Sequence, residues 1–565
     1  MTTLRRRALH GLAALTAGAA LVAGSTTGAA AAPGPKGETK VKGKVVDLQL
    51  LAINDFHGNL EPPAGSGGTI DGTPAGGVAY LAGHLAALRA QQANSLTVAA
   101  GDLIGASPLI SALFHDEPAI EALNAVELDV SAVGNHEFDE GADELLRIQR
   151  GGCHPVDGCQ TGHTYEGADF PYLAANVVTE SGRTLLPPYV VKKVKGVRVG
   201  FIGMTLEDTP GVVSAEGIRG LRFLDEAETA NRYARELQRR NVEAIVVLLH
   251  EGGVQTPLSS PANSCNGISG PIVDIVDRMD VSIDAVITGH THSAYNCQIA
   301  GKLVTSGSSF GRLVTDVRLR LSTRTKDVLS ATANNVVVTR EERFRDPALQ
   351  SLVDYYADLS NTVAGRQVGT ISATIPRAAG SNGESPLGNV IADSQLLATR
   401  PQGAVAAFMN PGGIRADLSF APSTPPKPGD GPGIVTYGDA FTVQPFNNLL
   451  TTLTLTGEQL KAVLEQQYVV NRVLQPAGIT YSVSASAPAG AKVSDVVIDD
   501  APLELGASYR ITVNNFLAGG GDGFTTLLAG TERVNSGLDI DAFAAYLTAN
   551  PDLAPPAASR ITLRP

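Results

Sequence analysis

Short apolar runs rich in β-branched residues recur through the first half of the chain, and amphipathic segments lie between several of them. The runs are VDLQLLAIND, SLTVAAGD, LDVSAVGNHE, VRVGFIGMT, EAIVVLLHE, DAVITGHTH and KLVTSGS. The segments GGVAYLAGHLAALRAQQA and DEAETANRYARELQRRN have the period of amphipathic helices. This alternation predicts an α/β domain over residues 48–340, a sandwich in which helices pack on a strongly buried central sheet.

The pattern changes near residue 340. DPALQSLVDYYADLSNTVAG predicts one amphipathic helix, which begins at Asp346 and Pro347 and ends at Gly365. Beyond it, helix-like GNVIADSQLLATR and TGEQLKAVLEQQYVV mix with strand-like LLTTLTLT and SYRITVNNF, and APSTPPKPGDGPG is typical of a surface loop. We therefore predict a linker helix over 341–366 and a second α/β (α+β) domain over 367–565.

Length and charge limit the classes of function. The chain has 565 residues, of which 43% are hydrophobic and 18% charged, as in soluble globular proteins with more than one core. Its formal net charge of −13 predicts repulsion of nucleic acid polymers. We therefore expect a small-molecule substrate and no nucleic acid partner.

The first 32 residues have the order of a secretory signal peptide. Arg5, Arg6 and Arg7 precede the apolar stretch ALHGLAALTAGAALVAG, and the small residues GAAAAPG follow, so we expect cleavage near Ala32. A membrane anchor is the weaker alternative, because the stretch is short and rich in Ala and Gly. The final residues ASRITLRP carry neither a hydrophobic tail nor a sorting-type motif. We therefore expect a secreted, extracellular protein without a membrane anchor.

The four cysteines fit an exported chain. Cys153, Cys159, Cys265 and Cys297 allow three pairings, and proximity favours Cys153 with Cys159 and Cys265 with Cys297. A metal cluster is the alternative, but none of the four lies in a CxxC pair. We expect disulfides.

Polar side chains follow the ends of five of the apolar runs. In an α/β fold, sites form just beyond the carboxyl ends of the strands. Hard oxygen donors and imidazoles without thiolate suit Zn, Mn or Fe better than Ca, and eight such residues suffice for two ions. The residues are Asp55, His57, Asp102, Asn135, His136, His250, His290 and His292.

The ordered set D-x-H, GD, GNHE, H and GHxH resembles the signature of calcineurin-like metallophosphoesterases. With the second half included, the mature chain resembles the secreted bacterial 5'-nucleotidase/UDP-sugar hydrolase family. The resemblance implies that two divalent ions (Zn, Mn or similar) activate a hydroxide for in-line attack on phosphorus. It implies one ion on Asp55, His57 and His292. It implies a second ion on Asn135, His250 and His290, with Asp102 bridging the two.

The same resemblance implies that His136 reaches the substrate phosphate as a catalytic residue and that Asp139 orients its imidazole. Glu137 we interpret as structural, because acidic residues at a helix start favour the macrodipole. The remaining histidines have no motif around them and are read as surface or packing residues. They are His84, His115, His154 and His163.

The second half carries the candidate nucleoside site. Asn410 and Arg415 flank a Pro/Gly turn, and a guanidinium suits phosphate or ribose oxygens. By composition alone Phe446 and Phe516 read as core. In the family these positions match an adenine-stacking pair, with Asp522 as the accompanying carboxylate. GESPLGNVIADS also matches a family segment in which the helix near Gly388 and Asn389 lines the site.

One position departs from the family pattern. Several members carry a further Arg six residues before the Asn of GN, where this chain has Gly383, and Arg377 lies in the preceding loop out of register. This leaves the choice among nucleoside monophosphates, nucleotide sugars and cyclic nucleotides open.

The resemblance implies an enzyme that hydrolyses nucleoside 5'-monophosphates to nucleoside and phosphate. UDP-sugar hydrolysis and 2',3'-cyclic phosphodiester hydrolysis remain alternatives, as does a non-catalytic exported nucleotide-binding protein. In relatives the C-terminal domain rotates to carry the bound nucleoside to the metals, and a helix such as the one ending at Gly365 is compatible with that motion.

Overall fold

The structure is a computed structural model that describes residues 44–63, 68–423 and 426–564. The expected signal peptide, residues 1–32, lies outside these ranges. The described residues belong to one compact unit that spans Gly43–Pro565.

The α-helices of the described residues are distributed over the whole unit. They are α1 (Val78–Arg89), α2 (Leu109–Ala112), α3 (Glu117–Ala125), α4 (Ala142–Arg150), α5 (Thr209–Val212), α6 (Glu226–Arg239), α7 (Pro271–Arg278), α8 (Pro347–Ala364), α9 (Pro386–Thr399), α10 (Tyr437–Val443), α11 (Gly457–Gln466), α12 (Asn515–Ala518) and α13 (Asp539–Ala549).

The strands of the first half form its central layers. They are β1 (Val45–Ile53), β2 (Thr69–Ile70), β3 (Thr73–Pro74), β4 (Ser95–Ala100), β5 (Val130–Ala132), β6 (Tyr172–Leu173), β7 (Val177–Thr179), β8 (Tyr189–Val194), β9 (Val197–Thr205), β10 (Leu221–Phe223), β11 (Ala244–His250), β12 (Ala285–Thr288), β13 (Ala294–Ile299), β14 (Lys302–Gly307), β15 (Leu313–Ser322) and β16 (Val328–Val337).

The strands of the second half are shorter on average and more mixed in direction. They are β17 (Gln367–Thr370), β18 (Ala406–Met409), β19 (Ile434–Thr436), β20 (Leu449–Thr456), β21 (Gln475–Ala477), β22 (Ile479–Ser484), β23 (Val493–Ile498), β24 (Ala501–Pro502), β25 (Ser508–Asn514), β26 (Thr531–Leu538) and β27 (Ile561–Arg564).

The first half contains two six-stranded sheets where the run pattern predicted one. Their orders are β16-β15-β1-β4-β5-β6 and β13-β14-β12-β11-β9-β8. One apolar cluster joins residues of both sheets, including Leu50 from β1 and Val246 from β11, so the sheets pack face to face. Separate clusters join the outer faces to α1 and α8 on one side and to α6 and α7 on the other. The resulting α/β sandwich explains why the central strands are apolar on both faces.

The second half is built on a five-stranded sheet, β21-β18-β25-β20-β26, and a four-stranded sheet, β24-β23-β22-β27. Helices α9 and α13 pack on the first sheet through Val390, Ile391 and Phe543. Helix α8 is capped by the Asp346 carboxylate, which accepts hydrogen bonds from two backbone amides, and it packs onto the first-half core. Leu109 of α2 lies in an apolar cluster of the second half, so the two halves are in contact.

The parallel strands of the first half end at a common edge. Ile53 of β1 is paired with Ala99 of β4, Ala100 of β4 with Ala132 of β5, and Leu249 of β11 with Thr288 of β12. The residues just after these strands turn sharply, and several adopt a left-handed backbone that L-residues seldom take. They are Asp55, His57, Asp102, His290 and His292, with φ between 46° and 70°.

Both disulfides expected from proximity are present, Cys153–Cys159 and Cys265–Cys297. Among the described residues, no helix combines the length and apolar character that a membrane crossing requires.

Candidate metal centre and substrate site

Six of the eight polar residues at the strand ends lie in two adjoining groups. Asp55, His57 and His292 form one group, in which every pair of donor atoms is within 4.8 Å. His57 Nε2 is 3.2 Å from His292 Nε2, and Asp55 Oδ1 is 3.3 Å from His292 Nε2. These three side chains follow strands β1 and β12, which belong to different sheets.

The second group is centred on Asp102, with His250 and His290. Asp102 Oδ2 lies 2.9 Å from His250 Nε2 and 3.6 Å from His57 Nε2, so one oxygen faces both groups. Asn135 joins this group through its Oδ1, 3.0 Å from His290 Nδ1. A carboxylate in that position is suited to bridge two cations.

The hydrogen bonds of the imidazoles test whether this donor set fits a metal. His57 Nδ1 donates to the carbonyl oxygen of Gly105 at 2.8 Å, and His250 Nδ1 donates to that of Ala100 at 2.7 Å. Each bond leaves the Nε2 lone pair directed into the site, which is how metal-binding histidines are held. His250 Nε2 is buried and, within the described residues, lacks a hydrogen bond of acceptable geometry. The residues therefore fit divalent metal ions.

Electrostatics favour a cation at the same place. Burial lowers the pKa of His57 and His292, and lowers that of His290 to about 3, so these imidazoles are neutral donors. Burial alone would raise the pKa of Asp102, but His250 and His136 hold it well below its usual value. Burial likewise opposes charge on His250, yet Asp102 raises its pKa to about 10. A divalent ion takes the place of that proton when it binds.

Glu137 is structural, but for a different reason from the expected helix macrodipole. Its buried carboxylate accepts hydrogen bonds from the backbone amides of Asp102 at 2.9 Å, Leu103 at 2.8 Å and Gly134. It therefore ties the turn after β4 to the turn after β5. A Cβ at Gly134 would lie 2.1 Å from Asp102 Oδ1, so glycine is needed for the turns to meet.

His136 faces the second half from the edge of the two ligand groups. It has a donor atom within 4.8 Å of donors of His57 and Asp102 but belongs to neither group. Its Nδ1 is 2.8 Å from Asp139 Oδ2, the alignment that the sequence predicted, and its backbone amide donates to Asp102 Oδ1 at 2.9 Å. Its ring stacks on Phe446, with centroids 5.6 Å apart and planes at 24°. Burial lowers the pKa of His136, but Asp139 and Asp102 together raise it above its usual value.

Arg415 is a second-half cation that lies beside this pair. Its guanidinium lies over Phe446, 5.7 Å from the ring centroid, and donates to the Gly412 carbonyl at 3.3 Å. It forms no salt bridge in the described part of the chain. Arg377 donates to the Ile414 carbonyl at 3.1 Å. Burial lowers the pKa of Arg415, Asp102, Asp139 and Asp55 act to raise it, and the nearby charge of Arg377 lowers it. The guanidinium of Arg415 therefore has no direct ionic partner among the described residues and can contact an anion in the cleft.

The structure brings Asn410 and Asp522 into contact. Asn410 Nδ2 donates to Asp522 Oδ2 at 2.9 Å and Asn410 Oδ1 accepts from Asn514 at 2.9 Å. Asp522 also forms an ion pair with Arg472, which sequence reasoning missed. No sequence signal marks Arg472, because its partner lies on a distant loop and arginines between apolar residues are common.

Phe516 and Asn389 make their contacts within the second half of the chain. The Phe516 ring packs on Gly521, where a Cβ would lie 2.5 Å from it, and it makes no ring contact with Phe446 among the described residues. The aromatic pair therefore stays a prediction. Asn389 is buried in α9, and its Nδ2 donates to Glu384 Oε1 at 2.9 Å. Its side chain is therefore directed into the second domain.

Gly383 cannot be replaced by the family arginine without rearrangement. Its φ is +84°, and a Cβ there would lie 2.7 Å from Val473. Arg377 reaches the Arg415 side of the cleft from another loop.

Comparisons with known proteins follow the same division of the chain. Residues 48–294 match the calcineurin-like phosphoesterase family, and residues 367–529 match the 5'-nucleotidase C-terminal domain. Endonuclease YhcR of Bacillus subtilis is 34% identical over 482 residues, which is 84% of this chain and 37% of that protein. Cell wall protein Lmo0130 of Listeria monocytogenes is 32% identical over 573 residues, 93% of this chain and 70% of that protein. The chain thus spans well under half the length of YhcR.

Among solved structures, the 5'-nucleotidase precursor from Thermus thermophilus superimposes with a TM-score of 0.75. The two are 28% identical, and the match covers 92% of this chain and 99% of that one. The likeness includes both halves.

Proposed function

The chain belongs to the 5'-nucleotidase family, with a metallophosphoesterase domain followed by a 5'-nucleotidase C-terminal domain, and from this we propose that it releases phosphate from nucleoside 5'-monophosphates. The family makes it a phosphoric ester hydrolase with a His/Asp cluster that can hold metals. The observation that carries the proposal is the arrangement of that cluster. Two ligand groups meet at Asp102, and His136 and Arg415 lie on the side that faces the second half.

We assign one ion to Asp55, His57 and His292, and the other to Asn135, His250 and His290, with Asp102 shared. When bound, two divalent ions supply an activated water and neutralise the phosphate. The backbone carbonyls of Gly105 and Ala100 hold two of these imidazoles in the donor tautomer, and Glu137 keeps the bridging carboxylate in place.

His136 and Arg415 act on the substrate itself. Hydrolysis breaks the bond between phosphorus and the ribose oxygen, and that oxygen needs a proton as it leaves. His136 is held by Asp139 with its other nitrogen free to donate a hydrogen bond to a phosphate or leaving oxygen. Arg415 forms no salt bridge among the described residues, and its guanidinium contributes charge to the phosphate.

The nucleoside half of the substrate goes to the second domain. Asn410 and Asp522 offer an amide and a carboxylate for the ribose hydroxyls, and Arg472 holds Asp522 from the other side. Phe446 and Phe516 offer aromatic faces to the base, for which stacking contributes roughly 1–3 kcal/mol per base. UDP-sugars and 2',3'-cyclic nucleotides share this nucleoside part and stay alternatives.

A phosphodiester of a nucleic acid is the second candidate substrate. Its basis is the relative named endonuclease YhcR, at 34% identity. The expectation that acidity excludes polymers does not stand against this, because Arg377 and Arg415 place local positive charge in the cleft.

The test is hydrolysis by the purified chain with Mn or Zn of AMP, UDP-glucose, 2',3'-cAMP, p-nitrophenyl phosphate and single-stranded DNA. Inorganic phosphate is measured for the two monoesters, and the products of the other three, whose cleavage releases no free phosphate, are separated by chromatography or gel electrophoresis. The proposal expects AMP to have the highest kcat/KM. It also expects Asp522→Ala to reduce AMP hydrolysis while sparing p-nitrophenyl phosphate, which has no ribose. Cleavage of DNA without AMP hydrolysis would overturn the proposal in favour of the second candidate.

The two disulfides and the likeness to a cell wall protein indicate a place outside the cytoplasm. We propose that the chain is secreted. Fractionation of the producing cells with an antibody to the chain tests this, and retention in the cytoplasm with free thiols would contradict it.

A further inference from the structure

A second cluster of histidines and carboxylates lies on the surface behind the metal centre. His115, Glu140, Glu144 and His154 each present a donor atom within 4.8 Å of the others. They come from four places: the turn between α2 and α3, the loop before α4, α4 itself, and the loop closed by the Cys153–Cys159 disulfide. Sequence reasoning read these histidines as isolated, because nothing in their spacing links them.

The geometry points to a third divalent cation site at this cluster, of the kind that Zn²⁺ or Mn²⁺ takes. Two imidazole nitrogens and two carboxylates are a donor set suited to such ions. We define this surface site by His115, Glu140, Glu144 and His154. It is separate from the proposed catalytic ligands and does not depend on which ester the enzyme hydrolyses.

The His115 imidazole has a carboxylate at each ring nitrogen, and His154 Nδ1 accepts a hydrogen bond from the Asp157 amide at 3.1 Å. His115 Nε2 lies 3.0 Å from Asp157 Oδ2, and its Nδ1 lies 2.7 Å from Glu140 Oε2. The same Asp157 oxygen is 3.3 Å from His154 Nδ1. For His115, a carboxylate that holds Nε2 while Nδ1 faces the other donors matches the usual outer contact of a metal-bound histidine.

The imidazole rings of the two histidines of this surface site lie against each other. His115 and His154 stack with centroids 3.8 Å apart and planes at 14°. Tetrahedral zinc with N and O ligands at about 2.0–2.2 Å needs donors about 3.3 Å apart, so the Glu140 and His115 donors, which are 2.7 Å apart, must separate by about 0.6 Å.

The surrounding charge also favours a cation. Glu140, Glu144 and Asp157 are opposed there by Arg147, which is paired with Glu144 and with Glu117. Both Glu144 oxygens accept hydrogen bonds from Arg147, so Glu144 is the weakest donor of the four. Glu140 and the two histidines carry most of the binding.

An ion at this site would brace two turns of the metal centre. Glu140 follows Asp139, whose carboxylate holds His136. His115 precedes Asp116, whose carboxylate accepts from the Gly105 amide at 2.9 Å, and the Gly105 carbonyl accepts from His57. The surface site thus has a structural role, to fix the segments that orient His136 and His57.

The test uses the full chain stripped of metal with a chelator and titrated with Zn²⁺ alone at limiting free concentration. Bound zinc per chain is measured after gel filtration by elemental analysis. We expect His154→Ala and Glu140→Gln each to bind about one equivalent less than the wild type. The matched control His163→Ala, a surface histidine paired with Glu121 outside the cluster, should bind as much as the wild type. Equal zinc content in the wild type and all three variants would overturn the proposal.

A measurement on the wild type covers the case in which a variant misfolds. Diethyl pyrocarbonate labels accessible histidines, and peptide mass spectrometry reports each one. Zn²⁺ should slow labelling of His115 and His154 at least several-fold and leave His163 unchanged. Equal labelling of all three with and without Zn²⁺ would contradict the inference.

Discussion

The carboxylate of Glu137 joins two loops of the metal centre. It accepts from three backbone amides, two of them in the Asp102 turn and one at Gly134. Its role was not predictable from the hexapeptide GNHEFD, because the partners lie on a different strand end. The alternation of strands and polar ends did predict which strand ends carry the candidate ligands, since these residues lie at or just after the ends of β1, β4, β5, β11 and β12.

Replacement of Glu137 by Ala should leave buried amides without an acceptor. At about 1–3 kcal/mol for an unpaired buried group, we expect the free energy of unfolding to fall by roughly 2–4 kcal/mol. Metal content should fall as well, because the Asp102 turn loses its support. Urea unfolding and elemental analysis measure the two effects. Glu137→Gln keeps an acceptor oxygen and should lose less stability. Equal losses in both variants would show that the charge, not the amide contacts, matters.

Replacement of His136 by Ala should reduce kcat on AMP by about 10²- to 10⁴-fold, the usual contribution of a positioned proton donor. Zinc content should not change, because His136 is not among the assigned ligands. Steady-state kinetics and elemental analysis check both statements, and His163→Ala serves as the surface control. Near-normal turnover would remove His136 from the mechanism.

Helix α13 packs on the five-stranded sheet of the second half, and its first residue has a buried carboxyl group. Asp539 is 1% exposed, accepts from the Ile540 amide at 2.8 Å and from Asn448 at 3.2 Å, and donates its own amide to the Asn448 carbonyl. The helix was not foreseen, because DIDAFAAYLTA has no polar face of clear period.

Burial raises the pKa of Asp539 from 3.8 to about 7. The folded chain therefore keeps a proton that the unfolded chain releases near pH 4. The contribution of Asp539 to the free energy of unfolding is complete at low pH and is lost as the pH rises to about 7. Three pKa units correspond to about 4 kcal/mol as an upper bound.

Urea unfolding between pH 4 and 8 tests this, with Asp539→Asn compared against Asp541→Asn, the exposed carboxyl of the same helix turn. We expect the loss of stability between pH 4 and 8 to be smaller in Asp539→Asn and unchanged in Asp541→Asn. An unchanged fall in Asp539→Asn would refute the assignment.

The two halves of the molecule meet at the metal centre and at a separate ion pair. Phe446 stacks on His136, and Lys427 Nζ lies 2.6 Å from Glu61 Oε2. Sequence periodicity predicted two α/β halves and the helix between them. It could not predict that the first half holds two sheets, because periodicity reports which faces are buried and not which strands pair.

If the second domain rotates to deliver the nucleoside, a covalent link across the domains should stop turnover. A carbodiimide joins Lys427 to Glu61 as an amide without a spacer. We expect the linked wild type to lose phosphate release on AMP and to keep its zinc. Lys427→Arg cannot form the amide, and it should keep its activity after the same treatment. Full activity in the linked wild type, with the link confirmed by mass spectrometry, would rule out the rotation.

The ligand groups that span the two sheets also set the order of assembly. The first group joins Asp55 to His292, and the second joins Asp102 to His290, so neither is complete until most of the first domain has been made and folded. A nascent or unfolded chain therefore has no preformed site with which to retain an ion. Any ion that these groups hold must therefore bind after the first domain has folded, from the metal supply of the compartment in which folding finishes.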